Sequence, residues 1–293
     1  MAPHPLSVAV VRALGALVHE GVVPWQGALP DADQAEDARV TREGAGYATS
    51  LPLRLAGRTG LPAEQLAGLL ADRLGAVPGV GSATVAGPGY VEVAPDPLEL
   101  VRAAIGPVAR RGQSGALDPL PPGDLPEQLS EAVAEVGADA VRFALARRTT
   151  AGPLDLALLG RADERNPVHA VQLAHARLVG SLRQAADLGV GPAEAADPGL
   201  LDEPAEAELA SAVVEADAGA CRAVRLDRPD LLARHLSSTA EAAHRWLSSR
   251  RALPSGDEEP DDAHRARLRL AVAARDTLGH GLDLLGVTAP ERM

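Results

Sequence analysis

The 293-residue sequence predicts a mainly α chain in which a small N-terminal α/β domain precedes a C-terminal helical bundle. Three observations carry that reading. From Pro126 onward, apolar residues recur almost throughout at the three-to-four spacing of amphipathic helices. Two short alternating runs, Ser82–Ala86 and Tyr90–Ala94, flank Gly87, Pro88 and Gly89 as strands flank a turn. Between these regions, 96–125 is rich in proline and glycine and predicts a linker.

Within 1–95, the spacing predicts a helix from Leu6 to Glu20, with Val8, Val11, Leu14 and Val18 as its apolar stripe. That stripe lacks a basic leader and a clear cleavage site, so it reads as part of the fold and not as a signal peptide. A second helix is expected over 61–74, with Pro62 suited to its first turn. The linker has room for a short helix at Leu98–Ala104. In the bundle, 126–293, helices are expected over 126–148, 167–188, 203–225, 229–250 and 261–285. Asp230 and Asp262 stand near two of their starts, and Gly or Pro interrupts most joints. The acidic run Asp257–Asp262 reads as a solvated loop opening the last helix.

Composition narrows the function. Aromatics make up only 2% of the chain, so cores must be built from Leu, Val and Ala. All 28 basic residues are arginine and the formal charge is −12. A protein that binds nucleic acid through bulk electrostatics is normally basic. Any RNA contact must therefore come from a local arginine-lined surface, with modest, salt-sensitive affinity. Cys221 is the only cysteine, which excludes an internal disulfide or a thiolate metal cluster and fits a reducing, cytoplasmic compartment. No apolar run approaches the ~20 residues of a membrane span.

Motifs for catalysis are not found. A Walker loop needs a Gly-Lys pair, and there is no lysine. Gly44-Ala-Gly-Tyr-Ala-Thr49 lacks the third glycine of a dinucleotide fingerprint and reads as a turn. His169 and His175 are six apart and His235 and His244 nine apart, neither at the i, i+4 spacing of helical metal ligands. The expectation is therefore no catalytic residue, no metal and no cofactor.

Four segments occur in a telling order: Val136-Gly-Ala-Asp-Ala-Val-Arg-Phe-Ala-Leu-Ala-Arg-Arg148, Pro153-Leu-Asp-Leu-Ala-Leu158, Asn166-Pro-Val-His-Ala-Val-Gln-Leu-Ala-His-Ala-Arg177 and Gly281-Leu-Asp-Leu-Leu-Gly-Val-Thr-Ala-Pro-Glu-Arg-Met293. Together they resemble the DALR anticodon-binding domain of arginyl-tRNA synthetases. In the N-terminal domain, Gly46-Tyr-Ala-Thr-Ser50 and Ala86-Gly-Pro-Gly-Tyr-Val-Glu92 resemble segments of that family's D-loop-binding domain. The resemblance implies two tRNA-binding parts joined by the linker, where the family carries a class I catalytic domain. Its two ATP-handling signatures are not found: His19-Glu-Gly-Val22 is the nearest match to one, and the other needs lysine.

The resemblance also implies contact residues. Tyr90 is read two ways, as a stacking face for a D-loop base or as filler for the small domain's core. Glu92 stands where the family has an asparagine that helps contact a D-loop base. His169, Ala170 and Leu173 stand where the family commonly has tyrosine. His169, Gln172, His175 and Arg177 are candidate anticodon-side contacts, with helix packing as the alternative for Gln172 and His175. Trp246 is either a base-stacking face or a core side chain. Arg250, followed by Arg251, can reach phosphates or lie solvated, and Met293 falls on the family's terminal methionine. The expected activity is non-catalytic binding of tRNA, with arginine tRNA as the candidate species. Two alternatives stand beside it. One is a protein-interaction module with a decayed RNA surface, whose partners would be a full-length synthetase or a biosynthetic enzyme. The other is an arginine–tRNA ligase.

Overall fold

The computed structural model describes residues 4–27, 29, 38, 40–43, 46–106, 129–148, 152–249, 252–254 and 256–293. The fold is mainly α, with one four-stranded sheet among the described residues. The chain divides into two compact units, one ending at Leu100 and one running from Val101 to Met293.

The N-terminal unit opens with α1, Pro5–His19. Then come strands β1, Val40–Glu43, and β2, Gly46–Thr49, and helices α2, Leu51–Thr59, and α3, Ala63–Leu74. Strands β3, Val80–Val85, and β4, Val91–Pro95, follow. The sheet order is β1-β2-β4-β3, antiparallel throughout. Helix α3 packs on β3 and β4, and α1 and α2 pack on α3. Leu6, Val10, Leu14, Leu66, Leu70 and Leu74 bury together with Tyr47, Val91 and Val93 from the sheet. The strand period of two puts Tyr47, paired with Val93, and Thr49, paired with Val91, on this one face. Thr49 also donates from Oγ1 to the Ala38 carbonyl at 2.5 Å and accepts from the Leu51 amide, which ties the sheet to the start of α2.

Helix α4, Pro97–Ile105, spans the division between the units. The second unit contains α5, Ser130–Val136; α6, Ala138–Arg147; α7, Leu156–Leu159; and α8, Pro167–Asp187. After a 3-10 turn at Pro198–Leu200 come α9, Pro204–Arg225; α10, Pro229–Ser249; and α11, Asp262–Leu284. Helix α10 packs against α6, α8, α9 and α11, and so forms the centre of the bundle.

Helix starts follow local chemistry. Proline opens α8, α9 and α10, where its missing N–H is no loss. Asp261 caps α11 by accepting from the His264 amide at 2.8 Å. Glu206 accepts from the Glu203 amide at 3.1 Å, and its other oxygen accepts from Arg267 Nε at 2.8 Å. This carboxylate is fully buried, so one side chain both caps α9 and pins it to α11.

The low aromatic content is met by close helix approach. A Cβ on Gly219 of α9 would lie 2.2 Å from the His235 ring of α10. One on Gly281 of α11 would lie 2.4 Å from Leu236 of α10. Phe143 and Trp246 are the two large aromatics buried in the bundle.

Some sequence expectations are corrected. The helix expected over 126–148 is two helices among its described residues, because Gly137 at φ 86° and ψ 154° breaks the ladder between α5 and α6. The turn expected at 44–49 holds strand β2, while Gly44 and Ala45 lie outside the described residues. Helix α2 and strand β1 were not anticipated. The short helix expected at Leu98–Ala104 is present as Pro97–Ile105, and 107–125 lies outside the described residues.

Candidate nucleic-acid interface

The segment after α11 is held by side chains of α6 and α8. Helix α11 ends in a turn where Gly286, at φ 66°, lets the Val287 amide reach back to the Leu282 carbonyl at 2.9 Å. Beyond it, three alternate carbonyls each accept from a side chain. Arg142 Nη1 donates to Gly286 at 3.2 Å, Gln172 Nε2 to Thr288 at 2.9 Å, and His175 Nδ1 to Pro290 at 2.8 Å. A carbonyl only accepts, so His175 carries its proton on Nδ1. Asp139 Oδ2 accepts from both Gln172 Nε2, at 3.0 Å, and the Thr288 amide, at 3.2 Å. Further along α8, Arg183 pairs with Glu291. Thus 288, 290 and 291 meet 172, 175 and 183 in order, and the segment runs beside α8 in the same direction. It ends in exposed Glu291, Arg292 and Met293, the last 57% exposed.

A second tie joins α8 to α10. Arg177 donates from Nη1 to His244 Nδ1 at 3.0 Å, and His244 Nε2 lies 2.9 Å from the Ala170 carbonyl. Arginine has no acceptor, so Nδ1 is bare and the proton sits on Nε2. His244 thereby bridges two turns of α8.

These bonds place several sequence candidates. Gln172 is half-buried and bonded within the bundle. His175 is only 7% exposed and lies beside Gly279. Arg177 is half-buried against His244, and His169 is half-buried on the first turn of α8. Trp246 is corrected as a stacking face: its side chain is fully buried in the bundle, where no base can reach it. Its Nε1 has no hydrogen-bond partner among the described residues, so its indole serves by volume. Arg250 and Arg251 lie outside the described residues.

In the N-terminal unit, Tyr90 is 41% exposed. It follows Gly89, at φ 90°, whose added Cβ would meet Leu53 Cγ at 2.7 Å and Ala63 Cβ at 2.9 Å. That turn is therefore seated on α2 and the start of α3, with Tyr90 turned outward. Glu92 is exposed on β4 between buried Val91 and Val93, on the sheet face away from the helical core, paired with Thr84 of β3.

Asp139, Arg142, Arg183 and His244 take part in these networks, although none was named as a candidate contact. Asp139 and Arg142 sit in the Val136–Arg148 motif, so the signal was present but carried no role. Nothing in the sequence joins Arg183 or His244 to partners more than sixty residues away. An open groove of 630 Å³ lies between the start of α9 and the end of α10, where Arg245 pairs with Glu208 at 2.7 Å. None of the sequence candidates among the described residues lines it. Before α8, exposed Arg165 and Arg161 hold the Asp163 carboxyl well below its ordinary range. Among the described residues no group of three or more His, Cys, Asp or Glu side chains is arranged to hold a metal, and no helix is long and apolar enough to cross a membrane.

Comparison with known proteins places this geometry. Residues 171–293 match the DALR anticodon binding domain family. The chain is 43% identical to the arginine–tRNA ligase of Clavibacter sepedonicus over 167 residues, covering 56% of this chain and 30% of the relative. It is 42% identical to that of Paenarthrobacter aurescens (strain TC1) over 168 residues, covering 57% and 30%. The chain thus spans about 30% of the length of the curated relatives it matches. Among solved structures, Thermus thermophilus arginyl-tRNA synthetase aligns with a TM-score of 0.45 at 26% identity, over 67% of this chain and 32% of that one.

Proposed function

We propose, from the chain's relationship to the arginyl-tRNA synthetase family, that it binds tRNA and does not charge it. The single observation that carries the binding half is the DALR match over 171–293, the region whose final segment is docked on α8 with its last residues exposed. Arginine tRNA is the candidate species, read by the bundle and by the outward Tyr90 and Glu92 of the N-terminal unit, in the cytoplasm. The non-catalytic half is supported by the absence of lysine and of both class I signatures from the 293 residues. Filter binding against total tRNA at low salt tests the reading. Micromolar affinity that weakens with salt and exceeds that for unrelated RNA is expected. No binding, or equal binding to any RNA, overturns it. ATP–pyrophosphate exchange dependent on arginine would overturn the non-catalytic half and restore the ligase reading.

A second reading, a protein-interaction module that has lost its RNA surface, is favoured by two observations. The net charge is −12, and Trp246, Gln172 and His175 are all engaged inside the bundle. Its partner would be a full-length synthetase or a biosynthetic enzyme. Recovery of such a partner from nuclease-treated extract, with no tRNA binding by the purified chain, distinguishes it.

A further inference from the structure

Two of the motif residues expected to touch RNA, Gln172 and His175, have already committed their donors. Gln172 has two amide hydrogens, and both are used, one on Asp139 and one on the Thr288 carbonyl. His175 uses its Nδ1 proton on the Pro290 carbonyl, and its Nε2 faces the backbone of α11 at Gly279. Both side chains therefore read the chain's own backbone. We propose that Gln172 and His175 are positioning residues, which hold 288–290 along α8 and so fix where exposed Glu291, Arg292 and Met293 meet tRNA. This rests on the tRNA-binding reading above.

The geometry favours holding over direct contact on three grounds. The captured carbonyls of 288 and 290 are alternate ones, which is how an extended segment is gripped along one edge, and Arg142 holds the Gly286 carbonyl in the turn before it. The grip is cross-linked, because Asp139 accepts from both Gln172 and the segment's own Thr288 amide. Burial follows the same division: His175 is nearly sealed, while Met293, three residues past its bonding partner, is 57% exposed.

The test uses the full chain with His175→Ala, His175→Asn and Gln172→Ala, each with and without residues 288–293. Asparagine places its amide nitrogen near the Nδ1 position and keeps the donor. Two quantities are read: amide exchange of 288–293 without RNA, and affinity for total tRNA. His175→Ala and Gln172→Ala are expected to speed exchange and weaken binding about fivefold each, the worth of one net hydrogen bond. His175→Asn should stay within about twofold of the parent in both, a rescue that a general loss of folding would not give. In the shortened chain, His175→Ala should leave tRNA affinity unchanged. Equal weakening in the shortened chain means His175 touches RNA itself and overturns the proposal, as does a segment that stays protected in His175→Ala. If the parent binds no tRNA, the tRNA-binding reading fails and the RNA half of this proposal fails with it. The exchange measurement, made without RNA, then decides the holding half separately.

Discussion

In the N-terminal unit the candidate contact residues point outward; in the bundle most are turned inward. Tyr90 and Glu92 lie at the tip and on the open face of a sheet whose other face carries the core. Gln172 and His175 hold a neighbouring segment, and Trp246 lies among the helices around α10. A one-layer sheet leaves half its side chains free by alternation. A central helix such as α10 is covered on several sides and leaves few positions open. The same kind of motif residue is therefore available for contact in one unit and absorbed by packing in the other.

Substitutions sharpen the contrast. Trp246→Ala should have the largest effect, costing about 3–5 kcal/mol of bundle stability, because it removes the largest fully buried side chain and leaves a cavity. Chemical denaturation checks it, and near-parental stability would mean that Trp246 is free to face a ligand. Gly89→Ala should cost about 1–3 kcal/mol in the N-terminal unit. There, φ is 90° and the new methyl meets Leu53 and Ala63. The loss should appear in the thermal transition of that unit.

The third effect is on pH dependence. Burial between α9 and α10 holds the His235 imidazole below its ordinary 6.5, with Arg234 and Arg222 adding to the shift and Glu215 opposing it. The unfolded chain then takes up a proton where the folded one does not. The contribution of His235 is complete above about pH 6.5 and is lost as pH falls below it. The urea midpoint should therefore drop on acidification, and less so in His235→Gln. The smallest stability effect is expected at Tyr90→Ala, within about 0.5 kcal/mol because the ring is exposed. If the ring stacks on a base, the same change weakens tRNA binding by about 1–3 kcal/mol. A change in stability with none in binding would reverse that assignment.

Much of this was legible in the sequence, for reasons that differ by element. The long helices of the bundle were found to within a residue or two, because 167–188, 203–225 and 229–250 repeat an apolar stripe over five or more turns. The hairpin was legible from alternation around Gly87 and Gly89, both at positive φ. Short β1 and β2 were missed because four residues are too few for a period to declare itself. Gly137 was visible, but a glycine within a helical pattern does not say whether it will be tolerated or will break the ladder.

By itself the sequence determined the mainly α class, the order of the two regions, the absence of lysine and the family resemblance. Each of these depends on residue identity and near-neighbour spacing. Only the tertiary structure decided which side of each helix was used. It buried Trp246, left Tyr90 outside, and brought Gln172 and His175 to 288 and 290, more than a hundred residues away. Helical periodicity marks an apolar stripe but not how many neighbours will cover the rest of the cylinder. A polar residue beside that stripe can end at water, at a ligand or at the chain's own backbone. That outcome is set by which helices pack there, and Gln172 and His175 meet backbone because the segment after α11 lies along α8.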